Sequence, residues 1–335
     1  MTQETYTVVS TMKNEGPFII DWVAHYKTLG FDHILVCTND CTDTTVDILL
    51  RLQEMGLVTQ HNTIVRSGGI HRSALRQASR RYDIVMDAKW VFVCDVDEYL
   101  NIHMGDGSVQ AMVEGSGEDS DVISVPWRIF GPNGIEAFSD TPVTQQFRMA
   151  ELPWDAEERP NTGKFVKSLY TNQHKFQRMG LHAPVTLKEH IETTKRVLPG
   201  GKDYVINGER TEHPPVFTEA QVNHYALRSM DSYLVKRARG RANHSHHVLG
   251  LDYWHKFNLN GEEDTTIDRY QSASAKLAAE LKADPVLADL HQRAVDWHAR
   301  KAASLKMDPD MDELTNALRA NLAEDSAPEK KAKSA

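Results

Sequence analysis

Cysteine is scarce in this chain: Cys37, Cys41 and Cys94 are the three among 335 residues. An odd, sparse set suits a reducing compartment better than a disulfide framework. Cys37 and Cys94 each close an apolar run and read as small buried hydrophobes. Cys41 follows at a spacing that matches no zinc motif. Long apolar runs are missing too, since nothing approaches the roughly 20 residues needed to span a bilayer. The opening Met1-Thr2-Gln3-Glu4 leads no basic region into an apolar stretch, so no signal peptide is expected, and the expected compartment is the cytoplasm. Positive charge is in deficit, with 38 Lys and Arg against 47 Asp and Glu, a net charge of −9. A nucleic-acid surface needs clustered cations and is argued against, whereas a local basic pocket for a diphosphate is not. No internal repeat is visible.

What is present is ordinary for a globular protein, 40% hydrophobic and 25% charged, and long enough for one large α/β domain or a domain with an appendage. Tyr6 to Thr11 is a β-rich run broken by Lys13-Asn14-Glu15-Gly16-Pro17. Ile19, Trp22, Val23, Tyr26 and Leu29 then fall at amphipathic-helix spacing, with Gly30 where a C-cap belongs. His33 to Thr38 is a second strand. Thr44 with Asp47 resembles a capping box ahead of a helical face. Val58 to Val65 makes a weaker strand, Ile70 to about Ala88 a helix, and Trp90-Val91-Phe92-Val93-Cys94 a strand apolar throughout, as burial on both faces demands. This alternation predicts an α/β fold with a mostly parallel central sheet. After an apolar strand at Val122 to Val125 come loops rich in Pro, His and Arg. From Met230 to Lys301 the pattern turns helical. The expected divisions are a domain over 1–229, a helical region over 230–323 and a disordered tail over 324–335.

Parallel sheets bind ligands beyond the carboxyl ends of their strands. That rule selects Lys13-Asn14-Glu15, Thr38-Asn39-Asp40 and Asp95-Val96-Asp97-Glu98. Asp95 and Asp97, two apart at a strand end, are expected to leave one face. Two such carboxylates repel unless a proton or cation lies between them, and Mg²⁺ or Mn²⁺ would also bind a diphosphate. The plainer alternative is one aspartate capping a turn and the other solvated. Asn14, Glu15, Asn39, Asp40 and Asp43 have side chains able to read a base and ribose, though turns favour Asn and Asp on their own account. Arg72 and Arg76 in the next helix have the charge to face a pyrophosphate, or form a solvated face. Of sixteen histidines, His244, His246 and His247 read as an exposed loop. His224 lies in the short strand pattern of Val222 to Ala226, and a neutral imidazole suits Mn²⁺.

Three stretches together resemble the glycosyltransferase family 2-like group, closest to its subgroup with an Asp-Val-Asp-Glu-Phe/Tyr signature. They are Thr11 to Glu15 with Trp22 and His25-Tyr26, Thr38 to Thr45, and Val93 to Tyr99. The likeness continues through Trp127-Arg128-Ile129-Phe130-Gly131 and Asn223-His224-Tyr225 with Arg228-Ser229. It implies a GT-A fold, a nucleotide-diphospho-sugar donor and Mn²⁺ or Mg²⁺. It places Glu15 and Asp40 at the nucleotide, Asp95 near the ribose and metal, Asp97 as a direct ligand, and His224 as the late metal-binding histidine. The chain departs from the broader group in lacking its Gly-containing Ala-Arg-Asn run. It also lacks Glu-Asp-Asp and Gln-X-X-Arg-Trp segments, so a nonprocessive transferase is expected.

An inverting transferase needs a carboxylate base at the acceptor hydroxyl, for which Glu136 is taken first, with Asp140 and Glu151 as alternatives. Trp127, with Arg128 beside it, and Trp154 are candidates for stacking against a glycan or other hydroxyl acceptor. A metal-dependent nucleotidyltransferase or phosphohydrolase would also use paired aspartates. A silent carbohydrate-binding domain would need neither.

Overall fold

The computed structural model describes residues 5–66, 68–152, 164–171, 174–203, 206–207, 210–211, 216–240 and 249–325. Ten strands make the main sheet: β1 (Tyr6–Met12), β2 (His33–Thr38), β3 (Thr59–Asn62), β4 (Trp90–Val93), β5 (Glu98–Ile102), β6 (Val122–Ile129), β7 (Val166–Thr171), β8 (Arg196–Leu198), β9 (Lys202–Asp203) and β10 (Ala220–His224). The spatial order is β9-β8-β6-β7-β4-β1-β2-β3, and β10 joins β6 to β5 off this path. From β4 through β1 and β2 to β3 every pairing is parallel. Beyond β4 the sheet is mixed, because β7 runs antiparallel between β4 and β6.

The helices are α1 (Ile19–Thr28), α2 (Thr45–Glu54), α3 (Ile70–Arg81), α4 (Asp83–Met86), α5 (Val109–Ser116), α6 (Val143–Gln146), α7 (Met230–Ala238), α8 (Leu251–Phe257), α9 (Gln271–Lys282), α10 (Pro285–Lys306) and α11 (Asp312–Asp325). Strand alternation divides the core between the two faces. Val8, Ile34, Val36, Trp90 and Phe92 pack with α1 and α2 in one cluster. Val9, Leu35, Cys37, Val91 and Val93 pack with Ala74, Leu75 and Ala78 of α3 in the other. Leu287, Ala294 and Ala302 of α10 and Leu318 of α11 belong to the first cluster, so the C-terminal helices share the core of the first 229 residues. Among the described residues no helix is long and apolar enough to cross a membrane.

Several local expectations shift. The helix expected from Ile70 to Ala88 breaks at Tyr82, whose backbone is extended (φ −127°, ψ 114°) and whose hydroxyl is held 2.9 Å from His61 Nδ1. The expected capping box at Thr44 does not form. Its hydroxyl donates instead to the Leu290 carbonyl of α10 at 2.8 Å, and Asp43 accepts from the Thr45 amide at 3.0 Å. The third strand is shorter than expected, and α11 continues to Asp325. Gly30 does close α1, at φ 91°, where a side chain would be strained. Trp154, the His244, His246 and His247 group, and residues 326–335 lie outside the described residues.

Candidate active site

The loops at the carboxyl ends of β1, β2 and β4 meet as expected and floor a cavity of about 440 Å³. Three of the four described non-glycine residues with positive φ adjoin its lining without belonging to it: Asn14 (52°) beside Lys13 and Glu15, Asp40 (45°) beside Asn39, and Arg228 (56°), which is paired with Glu15. Backbone held in that region collects at functional sites. Asn14 stitches two of the loops, its Oδ1 accepting from the Thr42 amide at 2.7 Å and its Nδ2 donating to the Thr42 hydroxyl. Arg228 ties in more, donating to Glu15 at 2.9 Å and to the Val96 carbonyl at 3.2 Å, with its guanidinium 3.6 Å from the centre of the Phe18 ring. Glu15 is buried and is also paired with Arg239.

Asp95 and Asp97 occupy a tight turn after β4, closed by the Glu98 amide bonding the Asp95 carbonyl, rather than the strand itself. Each has its own lysine. Lys167, on β7 two residues beyond the last rung with β4, reaches Asp95 at 3.1 Å and Glu98 at 3.0 Å. Lys236 on α7 reaches Asp97 at 2.7 Å and the Ala226 carbonyl at 2.8 Å. His224 arrives because β10 pairs with β5, setting His224 opposite Glu98, while the Tyr225 amide bonds the Asp97 carbonyl. Its Nε2 then lies 3.8 Å from Asp97 Oδ2. The first helix fixes this strand: Trp22 Nε1 and the Tyr26 hydroxyl both donate to the Glu98 carbonyl.

The charges follow from these partners. Burial works to raise the Asp97 carboxyl, but Lys236, His224 and Arg228 outweigh it and hold it well below the usual range. Burial likewise opposes Asp95, and Lys167 and His71 outweigh it. Burial lifts Glu98 to about 8 even against Lys167. Burial pushes the His224 imidazole down to about 4 against the pull of Asp97, so the ring is neutral near pH 7 and free to act as a ligand. Its Nδ1 is buried without a hydrogen-bond partner.

Of the residues selected from sequence, Glu15, Asn39, Asp95, Asp97, Trp127 and His224 line the cavity. Others do not. Asp40 and Arg72 are exposed and lie outside the lining. Arg128 turns to Asp264 at 2.7 Å and to Glu262. Glu136 is held by Arg319 at 2.9 Å and Lys306 at 3.9 Å, away from the cavity. Asp140 bonds His291 at 2.9 Å, and Glu151 accepts from the Ile129 amide. None of the three proposed bases reaches the lining. Sequence reasoning passed over Lys167, Lys236, Arg239, Lys256, His71 and His182. The available signal was weak: a lone lysine in the apolar run Val166 to Tyr170, and a Lys236/Arg239 pair on one helix face. Among the described residues no group of three or more His, Cys, Asp or Glu side chains could hold a metal ion. The Asp97 and His224 pair supplies two donors, which suits Mg²⁺ or Mn²⁺ only if substrate phosphate completes the shell.

A turn bearing two carboxylates beneath a cation-lined cavity thus stands at the carboxyl ends of parallel strands, where α/β folds place their ligands. The sequence profile of glycosyltransferase family 92 matches residues 6–271, and the chain belongs to that family. A glycosyltransferase family was expected, although the profile names family 92 where the motifs resembled the family 2-like group. No curated protein matches it. Among solved structures, residues 1–349 of S. aureus TarS with UDP-GlcNAc are 13% identical, with 98% of this chain and 83% of that one covered and a TM-score of 0.36. Glucosyl-3-phosphoglycerate synthase from Mycobacterium tuberculosis, with Mn²⁺, UDP and glucosyl-3-phosphoglycerate, is 16% identical over 61% and 73%, at 0.33. The chain spans 28% of the longer S. aureus TarS structure, with 50% of its own length covered, 14% identity and a TM-score of 0.29. Scores this low carry no argument for the site.

Proposed function

We propose that the cavity binds a nucleotide-diphospho-sugar on a GT-A framework and passes its sugar, nonprocessively, to a hydroxyl acceptor such as a glycan. The observation that carries this is the Asp97–His224 pair at 3.8 Å, set among Lys236, Arg239 and Lys256 in one cavity. Two donors beside three cations suit a diphosphate and one divalent ion better than either alone. The volume falls within the roughly 300–1,000 Å³ of small-molecule sites. At one end, Asn39 Oδ1 and Thr63 Oγ1 are buried without partners, which suits a base and ribose. At the other, Trp127, Phe165 and Phe257 give an apolar wall on which an acceptor sugar would stack.

Mn²⁺ or Mg²⁺ would be held by Asp97 and His224, with Asp95 close by. When bound, such an ion would offset the charge that develops on the diphosphate as the sugar–oxygen bond breaks. Arg239 and Lys256 would orient the diphosphate. Arg228 would keep Glu15 and the Asp97 turn in register.

The test is a thermal-shift panel of nucleoside diphosphates and their sugars with Mn²⁺, because a ligand selective for the folded state raises stability. It is paired with assays of nucleotide release with and without acceptor. At least one nucleotide sugar should raise the melting temperature, and release should depend on acceptor. Asp97→Asn should lose about 10²–10³-fold in turnover while keeping its circular-dichroism spectrum. No shift with any nucleotide would end the reading, and acceptor-independent hydrolysis would turn it toward a phosphohydrolase.

A further inference from the structure

Asp97 Oδ2 faces two groups at once, Lys236 Nζ at 2.7 Å and His224 Nε2 at 3.8 Å. Two atoms that each sit about 2.1 Å from one Mg²⁺ or Mn²⁺ lie about 3.0 to 4.2 Å apart. An octahedral ion puts neighbouring ligands near about 3.0 Å and opposite ones near about 4.2 Å, so imidazole and carboxylate at 3.8 Å could share an ion after a shift of less than about 1 Å. An ion at that distance from Oδ2 would stand no more than about 4.8 Å from the ammonium, in a corner where both are largely shielded from water. Like charges that close repel strongly where water does not screen them.

Lys236 has somewhere else to go. Its side chain keeps 21% exposure, whereas that of Lys167 has none. Arg239, one turn further along the chain, and Lys256 line the same cavity, so an ammonium released from Asp97 would enter a ready cation cluster. Glu15 already balances Arg239 there, and an arriving diphosphate would supply the anion that a released Lys236 needs.

We propose that Lys236 and a divalent ion are alternative partners of Asp97, and that a bound diphosphate makes the exchange. The ammonium moves from the carboxylate to the diphosphate, and the freed oxygen takes the ion with His224. This rests on the nucleotide-sugar reading and deepens it: metal and nucleotide bind cooperatively, each weak alone. By linkage, each tightens the other by the same factor.

The experiment follows free Mn²⁺ by electron paramagnetic resonance during titration of the whole protein, alone and with UDP, GDP or ADP. Nucleotide–Mn²⁺ controls without protein are subtracted. In the wild type the diphosphate that binds should tighten Mn²⁺ about tenfold or more. Lys236→Met should tighten Mn²⁺ about tenfold without nucleotide and cut the nucleotide's effect to within about threefold. Lys236→Arg, which keeps a cation at Asp97, should behave as the wild type. Lys236→Gln, which keeps a donor for the Ala226 carbonyl, replaces Met if Met disturbs the thermal melt. Unchanged Mn²⁺ affinity without nucleotide in a folded Met or Gln variant overturns the exchange. Failure of every diphosphate to bind the wild type overturns the nucleotide reading instead, and the Mn²⁺-only arm still decides the competition.

Discussion

Asp95 and Asp97 stand two residues apart on one turn, and a distant element brings a lysine to each, yet their corners differ in access. At Asp95 the cation is Lys167, whose side chain is wholly buried and shared with an equally buried Glu98. At Asp97 it is Lys236, which keeps partial exposure and faces the cavity beside His224. The first lysine is locked, because its side chain is wholly buried and its departure would strand two carboxyl groups, although Asp95 itself lines the cavity. The second is open and has a second ligand in reach. An identical pair of residue types thus supports architecture in one place and exchange in the other, and the burial of the lysine separates them. Arg228 shows the same division from the other side. Its guanidinium binds Glu15 and the Val96 carbonyl, so it fixes the turn between the two aspartates and leaves the Asp97 oxygens to the cavity.

The locked corner gives the largest expected effect. Lys167→Met fills the space but leaves Asp95 without its cation and Glu98 without its donor. Removing one partner of a buried pair costs about 3–5 kcal/mol, so chemical denaturation should show a loss of that size. The equivalent change at Lys236 should cost less stability, since Lys236 holds one carboxylate where Lys167 holds two carboxyl groups. Equal losses at the two lysines would erase the distinction between the corners.

The contrast also marks what could be read without coordinates. Strands β1, β2 and β4 announce themselves because burial on both faces requires unbroken apolar runs, and the carboxyl-end rule then selects Glu15, Asn39, Asp95 and Asp97. His224 was within reach as the polar end of a short strand. The cations were not. Lys167 reaches Asp95 only because β7 runs antiparallel to β4 in one particular register, and register over such sequence distance leaves no local mark. Lys236 and Arg239 look like any solvated helix face until α10 packs behind α7. Arg128 was read as an acceptor group for the same reason, since Glu262 and Asp264, which claim it, lie more than 130 residues on. Glu136 followed the apolar strand closely enough to suggest a base, but Arg319 from the last helix holds it at the surface.

A second difference between the corners is protonic. Burial raises the Glu98 carboxyl from an ordinary 4.5 to about 8, so the folded chain holds a proton that the unfolded chain has released. Its stabilising contribution is complete below about 4.5 and is lost as the pH rises through about 8. His224, lowered to about 4 by burial, has the opposite sign and a lower window: its contribution is present above 6.5 and lost as the pH falls toward 4. Between pH 6.5 and 8 the Glu98 slope therefore stands apart from that of the buried imidazole. Wild-type melting temperature should fall across that interval relative to Glu98→Gln. A wild-type curve parallel to the variant's would show that Glu98 is already ionised beside Lys167.

The smallest expected effect marks the edge of the open corner, at two neighbouring residues. Asn39 is buried, lines the cavity, and holds an Oδ1 with no partner. Asp40, the next residue, is exposed, has φ 45°, and lies outside the lining. A single step along the chain takes the side chain out of the cavity because that left-handed backbone turns it to solvent. Asp40→Asn keeps a residue that tolerates positive φ and removes the charge alone. Through water, a charge beyond the cavity wall changes a bound diphosphate's energy by well under about 1 kcal/mol, so nucleotide affinity by calorimetry should stay within about twofold. Asn39→Ala removes a buried, unpartnered acceptor from the cavity lining and should weaken binding about fivefold or more. If Asp40→Asn weakened binding as much as Asn39→Ala, the nucleotide would reach past the wall at β2, and Asp40 would rejoin the site.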